Sequence, residues 1–247
     1  MENKKLPIAL VGYGAMGREI EKIAGDYGYD IKAVFDIDTS LAQSNNFDFE
    51  VAIDFSFPEA VLENVEILAK HEKNIVIGTT GWQDDRLEIE DIVKESGIGV
   101  VWGSNFSLGM QMLFRIAKYA GKLVNKIDGY DVMLHEMHHK RKKDSPSGSA
   151  LTLAEILLEE LDFKNKILTE TAHEKIDPKG LHVSSMRGGE VTGNHTIYID
   201  SAAESIELSH RAKNRSGFAA GALTAAKWIH GKSGFYEFSD VLKDIWD

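Results

Sequence analysis

The sequence predicts an α/β chain: a parallel sheet covered by helices on both faces, followed by an α+β region with a mixed sheet. Three observations carry this. Short apolar runs alternate with helical patterns as far as Trp102. Each run ends in a glycine-bearing or polar segment. After Trp102 the alternation stops, and strands and turns follow one another. Strand–helix alternation requires crossover helices, and these force parallel pairing with both faces of the sheet buried.

The elements follow in order. Leu6 to Val11 is a short apolar run with the character of a buried strand. A glycine-rich turn leads into a helical pattern through Ile20 and Ile23. Ile31 to Phe35 reads as a second strand and Val51 to Phe55 as a third. Pro58 suits the first turn of a helix, whose apolar positions are Val61, Leu62, Val65 and Leu68. Asn74 to Ile77 is a fourth strand, followed by a helix carrying Leu87, Ile89, Ile92 and Val93. Gly99 to Trp102 is a fifth. A helix then spans about Ser107 to Leu123, and Tyr130 to Met137 reads as a strand. Pro146-Ser147-Gly148 opens another helix. His182 to Ala212 reads as strands and turns. A final helix, about Gly217 to Ile229, is expected to pack back on the first domain. No internal repeat or low-complexity tract is present.

Composition sets bounds. The chain has 247 residues, enough for one large domain or two modest ones. Hydrophobic residues make up 43% and charged residues 27%, as in ordinary globular proteins. The formal net charge of -11 repels phosphate backbones, so no nucleic-acid partner is expected. With no cysteine there are no disulfides and no thiolate zinc sites, which fits the cytoplasm. The first apolar run breaks into glycines too early for a signal peptide. No stretch approaches the ~18 apolar residues of a membrane span, so no membrane association is expected.

The first chemistry-bearing motif is G-x-G-x-x-G at Gly12, Gly14 and Gly17, with Ala15 and Met16 inside it. It follows a predicted strand and opens a helix, the context a dinucleotide needs. The first glycine permits the tight turn, the second lets a pyrophosphate approach, and the third lets helix and strand pack closely. The free N–H groups of the helix start then face the phosphates. An acid is due about 20 residues on, at the end of the second strand. Asp36 stands there, where it accepts ribose hydroxyls and repels a 2′-phosphate. Ile37 follows it rather than an arginine, which favours NADH over NADPH, although Arg18 lies near enough in sequence to reach a phosphate. The competing reading is a structural turn with a solvated Asp36. Beyond the third, fourth and fifth strands lie Asp54-Phe55-Ser56, Gly78-Thr79-Thr80-Gly81 and Gly103-Ser104-Asn105-Phe106. Ligands of parallel sheets bind past the carboxyl ends of the strands, so these loops are candidates for the nicotinamide side.

The second motif is His135-Glu136-Met137-His138-His139-Lys140-Arg141-Lys142-Lys143-Asp144-Ser145-Pro146-Ser147-Gly148-Ser149. It contains H-E-x-x-H, which suggests a zinc hydrolase when helical. Here it continues a strand pattern, and on a strand residues four apart lie roughly 13 Å apart, too far to chelate one metal. No metal is expected. The other reading is an anion-binding and proton-delivery loop. Six potential cations, His138 to Lys143, stand out in an acidic chain and favour an anionic substrate. Crowding of cations makes Lys142 a better proton donor near neutral pH, and His138 or His139 titrates in the same range. The helix start at Ser147-Gly148-Ser149 offers N–H groups and hydroxyls to a carboxylate. The bland alternative is a solvated basic turn before a capped helix.

Together these residues resemble the dihydrodipicolinate reductase (4-hydroxy-tetrahydrodipicolinate reductase) family. Its marker, E/x-x-H-H-x-x-K-x-D-x-P-S-G-T-A, is matched from Glu136 to Ala150, with Ser149 in place of threonine. The resemblance extends to Val76–Gly81, Asn105–Gly109, Arg187-Gly188-Gly189, Gly193-Asn194-His195-Thr196 and His210, and so covers essentially the whole chain. It departs in a glycine loop one residue shorter than the common form, and in the arginine missing after the acid. The resemblance implies a Rossmann-like cofactor domain (1–106 and 217–247) and a mixed-sheet domain (107–216) that binds substrate and builds a homotetramer. It implies His138 as proton donor or acceptor and Lys142 as proton donor. It further implies that His139, Gly148 and Ser149 hold the carboxylates of a small dicarboxylate substrate. Gly78, Thr79, Thr80, Gly103, Ser104, Asn105 and Phe106 would line the nicotinamide. The implied reaction is the NADH- or NADPH-dependent reduction of a cyclic imine dicarboxylate to tetrahydrodipicolinate, in lysine and diaminopimelate biosynthesis. An aspartate or homoserine dehydrogenase-like reductase shares the glycine loop but not the His138-His139-x-x-Lys142 segment. A non-catalytic NADH-binding sensor is the alternative outside enzymes.

Overall fold

The computed structural model describes residues 5–246. The chain divides into two compact units. One ends at Leu108 and resumes at Arg215, and the other is Gly109–Asn214. Among the described residues no helix is long and apolar enough to cross a membrane.

The first unit is built on six parallel strands. These are β1 (Leu6–Val11), β2 (Tyr29–Phe35), β3 (Val51–Asp54), β4 (Asn74–Ile77), β5 (Gly99–Trp102) and, far along the chain, β11 (Gly234–Glu237). Their order across the sheet is β11-β5-β4-β3-β1-β2, and every pairing is parallel. Successive side chains on a strand face opposite sides, so both faces read as apolar. Ile8, Leu10, Ile53, Val76 and Val101 pack under α1 (Ala15–Ala24), α6 (Ser216–Ile229) and α7 (Phe238–Trp246). Ala9, Val11, Ala52, Ile75 and Val100 pack under α2 (Val61–Lys70) and α3 (Arg86–Ser96). The sheet order reverses direction at the β1/β3 boundary, the switch point where such sheets bind ligands.

Three features depart from the sequence reading. Pro58 opens a single 3₁₀ turn, Pro58–Ala60, which then feeds α2. The helix ending at Ile229 is not the last element, because β11 and α7 follow it. The three-residue strand β7 (Lys166–Leu168) also had no forecast. Both missed strands are too short for a periodic signal. Helix α7 did carry one: Phe238, Val241 and Leu242 are buried at helical spacing.

The second unit has five strands in the order β10-β9-β6-β8-β7. They are β6 (Tyr130–His138), β7, β8 (Gly180–Arg187), β9 (Gly193–Ser201) and β10 (Ser205–Ala212). The pairings β10/β9 and β9/β6 are antiparallel, whereas β6/β8 and β8/β7 are parallel. One face packs Val132, Leu134, Val183 and Ile197 against α4 (Leu108–Val124) and α5 (Gly148–Glu160). On β6 the residues buried are 132, 134, 136 and 138. Alternation therefore carries Glu136 and His138 onto the core side as an extension of the apolar row. His195 on β9 lies opposite Glu136 and is also buried. Burial, then the charge of neighbouring His138, lowers the pKa of His195 from 6.5 to about 3.

Two predictions follow from this packing. A Cβ on Gly221 of α6 would lie 1.8 Å from the Phe106 carbonyl oxygen. Helix propensity alone favours alanine there by about 1 kcal/mol, yet the close approach wins. Gly221→Ala is expected to lose about 1–3 kcal/mol in urea unfolding, and a stabilised variant would show that the contact yields. The second concerns acid. A histidine kept neutral by folding binds its proton only on unfolding, so stability falls as pH drops from 6.5 toward 3. His210, also lowered by burial, acts with the same sign. Glu136 is held at about 2, and its contribution is lost only below 4.5. Between pH 7 and 5, His195→Gln should therefore lose about 1–2 kcal/mol less than the parent chain. Equal losses would mean that folding does not exclude the His195 proton.

Candidate functional site

In the first unit the glycine turn sits at the switch point. The Gly12 N–H donates to the Phe35 carbonyl (2.8 Å), and the Phe55 N–H to the Val11 carbonyl (2.8 Å). Gly12 has φ +87, and a Cβ on it would lie 2.4 Å from the Phe55 carbonyl oxygen. Only glycine meets both conditions. A Cβ on Gly17 would lie 2.4 Å from the Gly12 carbonyl oxygen, so α1 can approach the turn only without a side chain there. Gly14 differs. Nothing lies within 4 Å of its would-be Cβ, and it precedes α1 with no side chain capping the helix. The N–H groups of Ala15, Met16 and Gly17 therefore begin the helix beside open space.

A cavity of about 550 Å³ runs along this turn, lined by Gly12, Gly14, Arg18, Asp36, Ser40 and Phe55. A larger cavity of about 630 Å³ lies at the amino-terminal ends of β1 and β2, among Leu6, Tyr29 and His230. That is the end where parallel sheets do not bind ligands, so the smaller cavity is the candidate. Asp36 is exposed, and its backbone exchanges hydrogen bonds with Thr39 (3.3 and 3.0 Å) in a tight turn. The Arg18 guanidinium sits 5.6 Å from the Tyr13 ring centroid. A glycine cradle, a free helix start and an acid at the end of β2 fit the pyrophosphate and ribose of a nicotinamide dinucleotide.

The loops beyond β3 and β4 are tied by Asp54, which is 1% exposed. Its Oδ1 accepts from the Ser56 N–H (2.8 Å), the Ser56 hydroxyl (2.7 Å) and the Thr79 hydroxyl (2.8 Å). Its Oδ2 accepts from the Asn64 amide (2.9 Å). This restricts the candidates. The Thr79 hydroxyl is committed to Asp54, and its carbonyl accepts from the Trp82 indole (2.8 Å). Thr80 is exposed. The Gly78 N–H donates to the Asp54 carbonyl (2.8 Å). At the β5 end, Gly103 is buried and Ser104 exposed. The Asn105 side chain accepts from the Ser107 N–H (2.8 Å). The Phe106 ring is core, packed on Phe238 with centroids 4.5 Å apart. Side chains of Thr79 and Phe106 thus face the protein.

The second unit gathers the other candidates at the end of β6. His135 and Glu136 lie on the strand and His139 follows it, so the H-E-x-x-H match has no helical face. The centre is Glu136, with no exposure at all. Its Oε1 accepts from Arg187 Nη2 (2.7 Å) and the Ser147 N–H (3.2 Å). Its Oε2 accepts from Arg187 Nη1 (2.9 Å) and meets His138 Nδ1 at 2.5 Å. Burial pushes the Glu136 carboxyl upward, but hydrogen bonds from His138 and Arg187 outweigh it and hold the pKa at about 2. Arg187 also donates to the Asp144 carbonyl (2.6 Å). The His138 ring lies in van der Waals contact with Gly193, where a Cβ would fall 3.0 Å from Nε2.

The loop after β6 is less cationic than its sequence suggests. Lys142 pairs with Asp144 (2.9 Å), and Arg141 grips Glu190 with two bonds (2.8 and 2.6 Å). With His138 on Glu136, three of the six cations have carboxylate partners. Burial raises the Asp144 carboxyl, but the hydrogen bond and charge of Lys142 bring it below its ordinary value. His139 is half-buried, its N–H donates to the Val191 carbonyl (2.7 Å), and its Nδ1 is buried without a partner among the described residues. Ser147 caps α5, accepting from the Ala150 N–H (3.2 Å) and meeting His195 Nε2 at 3.2 Å. Gly148 opens α5 with clear space around its would-be Cβ, and Ser149 follows it. His138, His139, Lys142, Gly148 and Ser149 are thus brought together at one end of one sheet. Glu136, Arg187 and His195 complete the cluster; the sequence motifs contain them, but the sequence reading gave them no role in the site. Their signal was the interruption of β6's apolar alternation by Glu136.

Comparison with known proteins gives the same grouping. The family model described as dihydrodipicolinate reductase, N-terminus, matches residues 6–106, and the one described as dihydrodipicolinate reductase, C-terminus, matches residues 109–242. A 4-hydroxy-tetrahydrodipicolinate reductase of Christiangramia forsetii is 37% identical over 238 residues, covering 96% of this chain and 98% of the relative. The enzyme of that name from Aquifex aeolicus is 42% identical over 196 residues, covering 78% of this chain and 73% of the relative. The solved dipicolinate-bound dihydrodipicolinate reductase from Paenisporosarcina sp. TG-14 superposes with a TM-score of 0.75 at 22% identity. That match covers 96% of this chain and 99% of the other, and shows a shared fold. The chain belongs to the dihydrodipicolinate reductase family.

Proposed function

We propose that this chain is an NAD(P)H-dependent reductase of 4-hydroxy-tetrahydrodipicolinate, a cyclic imine dicarboxylate, which takes up a hydride and a proton and loses its 4-hydroxyl as water to yield tetrahydrodipicolinate for lysine and diaminopimelate biosynthesis. Beyond family membership, the observation that carries this reading is the cluster at the end of β6. It sets an imidazole with a buried carboxylate partner, a half-buried ammonium and a helix start within one short stretch of chain. A dicarboxylate needs cationic and N–H contacts, and a reduced ring needs a proton. The cluster offers both.

The roles divide as follows. Residues 1–106 and 217–247 hold the cofactor, with Gly12, Gly14, Ala15, Met16 and Gly17 at the pyrophosphate and Asp36 at the ribose. Gly78 to Thr80 and Gly103 to Phe106 line the nicotinamide side. A bound dihydronicotinamide supplies the hydride. Residues 107–216 hold the substrate and assemble a homotetramer. His139 Nδ1 is buried without a partner among the described residues, which leaves it free to bond a substrate carboxylate. The start of α5 at Gly148 and Ser149 suits a carboxylate, and Asp144, held charged in part by the Gly148 N–H, already takes that place from within the chain. His138 and Lys142 move the proton that the ring takes up after hydride arrival. Lys142, braced by Asp144, keeps its ammonium at a fixed place.

Two tests follow. Lys142→Ala should lower turnover by about 10²–10⁴-fold and leave cofactor affinity unchanged in a fluorescence titration. Near-normal turnover would remove Lys142 from the mechanism. The Asp36-Ile37 pair at the ribose end favours NADH, since a carboxylate repels a 2′-phosphate. At saturating imine, kcat/KM for NADH should exceed that for NADPH by about tenfold, the equivalent of ~1.4 kcal/mol. A strong NADPH preference would assign the 2′-phosphate to Arg18 instead.

A further inference from the structure

Glu136 has no place in the roles above, yet it is the most completely enclosed charged group of the second unit. All four of its lone-pair directions are used: two by the Arg187 fork, one by the Ser147 N–H and one by His138 Nδ1. A carboxylate in that setting has no proton to give, so the hydrogen between Glu136 and His138 belongs to Nδ1. Neutral His138 is then the Nδ1–H tautomer, and its free lone pair is on Nε2. Nε2 is the nitrogen that faces Gly193, where a Cβ would lie 3.0 Å from it, a tight contact that glycine avoids.

We propose that Glu136, locked by Arg187, is a positioning residue that fixes the tautomer and ring orientation of His138, making Nε2 the atom that exchanges the proton with substrate. The proposal rests on the reading of His138 as a proton-transfer group. The groups facing His138 come from every neighbouring element. Glu136 lies on its own strand, Arg187 is its register partner on β8, and His195 on β9 has its ring centroid 5.2 Å away. Lys142 and Asp144 lie in the following loop. Burial keeps His195 neutral, so it neither competes for the proton nor repels a protonated His138. The Ser147 N–H bond gives Glu136 a second task. The same carboxylate that orients His138 also anchors the start of α5, so the proton-exchanging nitrogen and the N–H groups of Gly148 and Ser149 are set by one group.

The test uses the full chain with ¹⁵N-labelled histidine and three variants. Glu136→Gln keeps the shape and removes the charge. Glu136→Gln with Arg187→Gln removes both charges and so leaves no unpaired buried cation. His138→Ala is the reference and identifies the His138 resonances among the nine histidines. In the parent chain His138 should show a protonated Nδ1 and a bare Nε2. In Glu136→Gln the tautomers should mix. Its kcat should fall about 10- to 100-fold, part of the 10²–10⁴ contributed by a positioned acid–base group. KM for the imine should stay within about threefold, since the glutamine carbonyl oxygen still accepts from the Ser147 N–H and so holds the α5 start. The double variant should behave alike, and it takes the place of Glu136→Gln if that chain does not fold. Unchanged kcat and an unchanged Nδ1–H tautomer, with His138→Ala inactive, would overturn the positioning role and leave the reading of His138 standing. An active His138→Ala would overturn that reading, and the positioning role with it.

Discussion

The second unit is organised around one buried carboxylate. Placing Glu136 in a sheet core costs several kcal/mol of desolvation unless every lone pair is met. That constraint dictates its surroundings. Arg187 must stand beside it on β8, which the β6/β8 register provides by setting His138 against Arg187 and Glu136 against Ser185. The chain must turn after Asp144 so that the Ser147 N–H points back at the sheet. His138 must present Nδ1 rather than Nε2 to the interior. An apolar residue at 136 would free the fold from all three demands.

The first unit obeys a different constraint, close backbone approach. At the switch point the Gly12 and Phe55 backbones and the start of α1 occupy space that no side chain could share. The same crowding leaves Gly14 open, so the compact part of the turn creates the part that faces a ligand. Asp54 extends this order to the β3 and β4 loops with four hydrogen bonds from one buried carboxylate. Each unit thus uses a fully bonded buried acid to hold loops that a chemical role requires to be still.

Much of this was legible in the sequence because its physics is local. Gly12, Gly14 and Gly17 after an apolar run specify a strand, turn and helix within a dozen residues, and Asp36 falls at the spacing that β2 imposes. Ser147-Gly148 marks a helix start, which the structure places there. The parallel sheet and the later mixed sheet were readable from the change in alternation. What was not legible depends on pairing between distant segments. The strand β11 is four residues long and becomes a strand only because β5 offers an open edge. The partnership of Glu136 with Arg187 spans fifty-one positions and is set by register. The neutralisation of Arg141 by Glu190 is likewise long-range, so the basic segment read as more cationic than it is. Thr79 and Phe106 were placed in the right loops, but which way their side chains turn depends on Asp54 and Phe238.

The chain belongs to a family of reductases, and its N-terminal part is the family's nucleotide-binding domain. The central claim is that the chain turns over the cyclic imine and does not merely bind NADH. The direct measurement is the loss of dihydronicotinamide absorbance on adding the freshly formed product of the dihydrodipicolinate synthase reaction. The account predicts oxidation that requires both the chain and the imine, saturates with each, and stops when the imine is spent. Tight NADH binding with no imine-dependent oxidation would contradict it.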